Sequence, residues 1–114
     1  MLYRMKLQPM LFEYVKSGTK RIELRLNDKK RAAVQLEDEI EFLKEPNLDE
    51  SIKTKVCGLL RYKSFLELFE DFDISVLADN SMTKEELLKE LEKYYTKEKQ
   101  LQYGVLGIKF KKIE

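Results

Sequence analysis

Apolar and charged residues alternate from the start of the chain: Tyr3, Met5 and Leu7 are separated by Arg4 and Lys6, the period-two pattern of a strand with one buried face. Pro9 then opens a helix, since its fixed φ suits the first helical position. Leu11, Tyr14 and Val15 form an apolar stripe and Gly18 supplies the stop, so the helix is predicted over 9–17. The period returns to two over 20–26, with Ile22, Leu24 and Leu26 on a buried side and Arg21, Glu23 and Arg25 on a charged side. Asn27 or Asp28 caps a short helical turn through Lys29, Lys30 and Arg31, and strand resumes over 38–43 with Ile40 and Phe42 facing in. Pro46, Asn47 and Asp49 break it. The next strand, 52–62, places Ile52, Thr54, Val56, Leu60 and Tyr62 on one face, with Gly58 a bulge or bend.

Ser64 followed by Glu67, and Thr83 followed by Glu86, read as capping boxes that open helices over 64–72 and 84–95. Leu87, Leu88, Leu91, Tyr94 and Tyr95 make a single core-facing stripe along the second. After a polar segment, 104–110 is the last strand, with Leu106, Ile108 and Phe110 on one face and Gly104 and Gly107 leaving room for close backbone approach. Short strands with helices inserted between them lack the β-α alternation of a doubly wound sheet. The pattern predicts an α+β fold, a small mixed β-barrel with flanking α-helices, formed as one domain over 1–114.

At 114 residues, with 43% apolar content, six Phe and six Tyr, the chain can fill one core without disulfides. The single cysteine, Cys57, reads as a small apolar side chain in a reducing compartment. No long apolar run marks a signal peptide or a membrane span, so a cytoplasmic address with no membrane partner is expected. Histidine is absent. That excludes the Ser/His/Asp triad, the Cys/His dyad, the usual zinc sites and an imidazole base. Catalysis would need a lysine or carboxylate of shifted pKa, or a bound metal, and no metal motif or other cofactor is expected. The acidic stretch Glu37 to Glu41, alternating with Ile40 and Phe42, reads as a solvated strand face, not a metal site.

The net charge is only +1, yet charge is segregated. Residues 16–31 hold seven Lys/Arg against two acids, 37–50 hold seven acids against one Lys, and 67–92 hold nine acids against two Lys. Residues 52–64 and 93–114 are again basic, so the folded chain is expected to show a basic face and an acidic one.

The segment Ser17-Gly18-Thr19-Lys20-Arg21-Ile22-Glu23-Leu24-Arg25-Leu26-Asn27-Asp28-Lys29-Lys30-Arg31, followed by Leu36 to Phe42, resembles the signature of the ASCH family. Arg21 stands where Thr is usual, and Glu37 where a Gly precedes the Asp. Tyr62-Lys63-Ser64-Phe65 and Tyr103 to Ile108 also look like the small ASCH proteins. The resemblance covers nearly the whole chain and implies a PUA-like barrel. It further implies RNA or nucleotide binding, read here as a basic pocket for a nucleotide or single-stranded RNA at the start of the second strand; the expected state is a monomer or weak dimer.

Within such a pocket Arg25 offers bidentate donors to phosphate, Lys20 a mobile charge and Glu23 an acceptor for a base amino group. Lys30 and Arg31 are candidates for phosphate contact, and Tyr62 and Tyr103 for base stacking. An alternative follows from the same superfamily: small amidohydrolases that act on N4-acetylcytidine with a Lys, a Thr nucleophile and a Glu. Lys20 matches that lysine, but Glu23 occupies the place of the threonine, and the glutamate position falls near Asn80. A third reading is a protein-interaction module using the acidic helical face.

Overall fold

The computed structural model describes residues 1–113. In chain order the elements are β1 (Leu2–Leu7), α1 (Pro9–Ser17), β2 (Ile22–Leu26), α2 (Lys29–Ala32), β3 (Glu39–Lys44), β4 (Ser51–Tyr62), α3 (Phe65–Asp71), α4 (Ile74–Leu77), α5 (Lys84–Glu92), α6 (Lys97–Tyr103) and β5 (Val105–Lys112). The strands form one half-barrel sheet in the order β1-β3-β4-β5-β2. All neighbours are antiparallel except β1 and β3, which run parallel. No helix among the described residues is long and apolar enough to cross a membrane.

Local chemistry sets the boundaries. Pro9 opens α1, and Gly18 ends it at φ 89°, donating to the carbonyls of Tyr14 and Val15, a left-handed cap that glycine adopts without Cβ strain. Asp28 caps α2 by accepting from Arg31 N. Thr83 and Glu86 form both arms of the capping box, whereas Ser64 caps α3 by accepting from Glu67 N.

Four sequence expectations are corrected. The helix expected over 84–95 ends at Glu92, and the polar segment after it is a separate helix, α6, started by the Thr96 hydroxyl accepting from Lys99 N. The short α4, capped by Asp73, was not anticipated because it contains barely one turn of pattern. The long strand does not keep one face. Val56 pairs with Phe110 but Gly58 with Lys109, so Cys57 is skipped in the ladder and the side-chain parity flips. Ile52, Val56 and Leu59 belong to one core, whereas Leu60 and Tyr62 pack against the other. Cys57 itself is exposed at the bulge instead of filling a core.

The fourth correction concerns β2. Two apolar clusters lie on opposite sides of the β2–β5 pair: Ile22, Leu24, Leu26 and Val105 pack under α3, α4 and α5, while Leu106, Ile108 and Phe110 pack with Phe42, Val56 and Phe12 of α1. Gly107 makes the first packing possible, since a Cβ there would stand 3.1 Å from Leu68 Cδ1. Glu23 sits opposite Ile108 and Arg25 opposite Leu106, and directly opposed residues share a face. The charged side of β2 is therefore turned toward the second core and not toward water.

Candidate functional site

A carboxylate on an apolar face has to be paired, because desolvation of an isolated charge costs several kcal/mol. Glu23 is paired twice. Its Oε1 lies 3.4 Å from Lys20 Nζ and its Oε2 2.8 Å from both Nε and Nη2 of Arg25. The three side chains are 1% (Lys20), 5% (Glu23) and 13% (Arg25) exposed. Lys20 also donates to the carbonyls of Ile22 (2.6 Å) and Leu77 (2.8 Å), which fixes the ammonium at the start of β2 and draws α4 against it. Thr19 and Lys20 turn the chain by donating their amides to Tyr14 O, which is why β2 begins at Ile22 and not at Lys20.

Burial pushes the Lys20 ammonium below its ordinary pKa against the pull of Glu23. Burial would raise the Glu23 carboxyl, but Arg25 first and Lys20 second outweigh it and hold it below the usual range. Glu23 is thus an ionised, fixed acceptor.

The half-barrel is open between β1 and β2, its two edge strands. Arg25 spans that opening, with Nη2 donating to Lys6 O at 2.9 Å. Beside this bridge lies a cleft of about 290 Å³, with Glu23, Leu24 and Arg25 on one wall and Leu87, Leu91, Tyr94 and Tyr95 on the other. Lys6, Leu7, Gln8, Leu11, Glu45 and Glu90 complete it. Gln8 Nε2 donates to the Tyr94 hydroxyl at 2.6 Å, tying the start of α1 to the segment after α5. The Tyr94 and Tyr95 rings stand 6.5 Å apart at 58°. Tyr94 is 56% exposed and belongs to the rim, not to the core stripe expected of it. Tyr95 packs on Phe65, and burial raises its hydroxyl pKa while Arg25 pulls it down.

Glu23 and Arg25 are the expected residues that share this cleft. Lys20 lies behind Glu23. Arg31 is near enough to act on the Tyr95 hydroxyl, and its Nε is buried without a hydrogen-bond partner; Lys30 is exposed on α2. Tyr62 and Tyr103 line a different depression, with Arg61, Lys63 and Gln100, where the Tyr62 hydroxyl donates to Asp71 at 2.5 Å. Sequence reasoning missed Gln8, Tyr94 and Tyr95 as site residues. The signal was the aromatic pair at the end of a leucine stripe, a place where rings serve as rim as readily as core. No cluster of three or more potential metal ligands occurs among the described residues.

The chain matches the ASCH domain family over residues 5–114. It is similar along its length to the crystal structure of hypothetical protein PH0355, at 34% identity and a TM-score of 0.86, covering 99% of this chain and 100% of that one. The solution structure of protein PF0455 from Pyrococcus furiosus is 30% identical, with a TM-score of 0.78 over 100% of this chain and 99% of that one. A mutant ZmASCH protein from Zymomonas mobilis, 11% identical, shares the fold at a TM-score of 0.66, covering 95% of this chain and 66% of that one. No curated protein matches the chain. A domain match that begins within β1 and runs through β5, together with full-length structural counterparts at 30% identity and above, establishes that the chain belongs to the ASCH family.

Proposed function

We infer that this ASCH protein binds RNA or a nucleotide, and that the cleft between the β1–β2 opening and α5 receives one unstacked base. The observation that carries this reading is the fixed Glu23–Arg25 pair in the wall of a cleft rimmed by Tyr94 and Tyr95. A volume of about 290 Å³ lies at the low end of small-ligand sites, which suits one base and not a strand. Glu23 supplies an acceptor for a base amino group, Arg25 donors for a ring nitrogen or carbonyl, and the tyrosines a surface for stacking. Lys20 acts as a positioning residue that keeps Glu23 ionised and in place.

The cleft's charge balance refines the expectation of a basic pocket. Lys6 and Arg25 are outnumbered by Glu23, Glu45 and Glu90, so the cleft favours an uncharged base over a phosphate. Arg31 and Lys30, on the neighbouring α2, then serve the phosphates that flank the base, and Tyr62 with Tyr103 offers a second stacking position further along a strand.

Titration with short single-stranded RNAs of different base composition tests the reading. Glu23→Gln should narrow the preference among bases by about 1–3 kcal/mol, because an amide presents both a donor and an acceptor where the carboxylate only accepted. The slope of log K against log salt should hardly change. Binding with no base preference in the parent protein, or a preference untouched by this substitution, would falsify the cleft assignment.

A further inference from the structure

The three basic blocks of the sequence converge at one place in the fold. Arg21, just before β2, Lys53 near the start of β4, and Lys111 and Lys112 at the end of β5 line one open groove of about 630 Å³. Its floor includes Val15, Ile52 and Phe110, and no Asp or Glu among the described residues lines it. The groove and the base cleft have no lining residue in common.

The cations are largely unspent. Among the described residues, Arg21, Lys53 and Lys111 have no carboxylate within 4.0 Å, and their side chains donate to no acceptor; Lys112 is used once, on Lys16 O at 2.8 Å. The nearby carboxylates are committed. Glu41, opposite Lys53 in the sheet, accepts from Arg4 at 3.0 Å, and Glu50 is held by Lys44 and Lys16.

The register adds a second, independent sign. Lys111 stands directly opposite Lys55 in the β4–β5 pair, and like charges so placed destabilise a sheet. Lys55 stands between Lys111 and Glu39 in the sheet and has one ion-pair partner, Glu37, at 3.8 Å, whereas Lys111 has no acidic partner among the described residues. A fold that holds such a pair beside an unneutralised arginine and lysine carries an electrostatic cost that a bound anion relieves.

We propose that this groove is a phosphate track for a single-stranded nucleic acid, with Arg21, Lys53 and Lys111 neutralising successive phosphodiesters. The semi-apolar floor accommodates sugars, and cations contributed from the ends of three strands suit a chain of phosphates better than a single anion. An acidic peptide is the weaker fit, because its carboxylates project on flexible side chains, whereas phosphodiesters form a continuous charged edge that a run of cations can follow. The inference does not depend on the base cleft.

The test is fluorescence anisotropy with a labelled twelve-nucleotide oligo(U), repeated with oligo(dT), at several salt concentrations, on the parent and on Lys53→Gln/Lys111→Gln. The slope of log K against log salt is expected to fall by about 1.4, at roughly 0.7 per lost contact on a single strand, with at least tenfold weaker binding at low salt. Because the proposal concerns phosphate, oligo(dT) should lose as much as oligo(U). Lys111→Gln alone should leave the melting temperature unchanged or raise it, since it removes a like-charge pair, and that separates lost binding from damaged folding. An unaltered slope and affinity in the double variant overturns the proposal, as does equal or tighter binding of a twelve-residue polyglutamate or of anionic vesicles. A parent protein that does not bind either oligonucleotide at low salt overturns it too.

Discussion

Lys20 Nζ stands 3.4 Å from Glu23 Oε1 while donating to the carbonyls of Ile22 and Leu77, so one buried ammonium satisfies three acceptors contributed by β2 and α4. The arrangement gives Lys20 a structural duty that no other described residue performs. Lys20→Met keeps the length of the stem but strands two carbonyls and leaves Glu23 with Arg25 alone. The expected loss is about 3–5 kcal/mol, the range for breaking a buried pair by removing one partner. Lys20→Met/Glu23→Gln should recover more than 1 kcal/mol of it in urea denaturation. Additive losses in that cycle would show that the two groups are not coupled.

Acid stability follows from the same pair. Glu23 titrates below the usual carboxylate range in the folded protein, because Arg25 and Lys20 outweigh the effect of burial. As pH falls, the unfolded chain therefore binds the proton first. The stability that Glu23 contributes is fully present above its unfolded pKa, about 4.3, and is lost as pH drops through the lower folded value. Lys20 acts with the same sign on the alkaline side: its depressed folded pKa means stability rises as pH climbs from that value toward the unfolded one. Glu23→Gln should be less stable at pH 7 yet lose less between pH 5 and pH 3 than the parent, as measured by urea midpoints. Parallel pH profiles would contradict the assignment.

Glu37 occupies a left-handed backbone conformation, φ 74°, at the turn before β3. Its amide donates to Val56 O, and its carboxylate reaches Lys55 only at 3.8 Å with both side chains exposed. The departure noted in the sequence, Glu where the family pattern has Gly, thus falls on a residue whose backbone favours glycine. Left-handed geometry costs a non-glycine residue roughly 1–2 kcal/mol, and glycine's greater freedom in the unfolded chain returns about 0.4–1 kcal/mol of that. Glu37→Gly should stabilise by about 0.5 kcal/mol net, raising the melting temperature by roughly 2–4 °C. A lower melting temperature would mean that the Lys55 contact outweighs the strain.

No release of acetate from N4-acetylcytidine is expected. By the resemblance drawn from the sequence, Glu23 stands where the N4-acetylcytidine amidohydrolases carry threonine, and a carboxylate attacking an acyl carbon would generate a mixed anhydride. Lys20, the other matching residue, has its ammonium committed to two carbonyls and Glu23, so it is not available as a free base. Turnover that disappears in Lys20→Ala, seen by chromatography of the nucleoside products, would overturn this expectation.

Much of this architecture was legible because it is written in short-range pattern. Pro9 and Gly18 bracket α1, Thr83 and Glu86 box the start of α5, and Gly58 marks the bulge region of β4. The misreadings share one physical cause, which is that periodicity reports alternation without saying what lies on each side. In β2 both sides are covered, so Arg21, Glu23 and Arg25 look like a solvated stripe although Glu23 is buried. The bulge at Cys57 changes the parity of Leu60 and Tyr62, a long-range consequence of pairing with β5 that no local window contains. For the same reason the sequence grouped Lys20 with Tyr62 and Tyr103, whereas in the fold the two tyrosines share a depression that Lys20 does not line.

The strand order has a consequence for how the chain reaches this state. Among the described residues β5 is the only strand that joins β2 to the rest of the sheet, and Ile22 waits for Lys109 as its partner. On the ribosome, β1, β3 and β4 can associate soon after they emerge, but β2 stays unpaired until Val105–Lys112 has been synthesised. The Lys20–Glu23–Arg25 cluster is therefore among the last parts to be assembled, and a search over so long a loop slows folding more than it lowers final stability. A nascent chain arrested before β5 should remain protease-sensitive between Gly18 and Arg31, and become resistant there once β5 has cleared the exit tunnel.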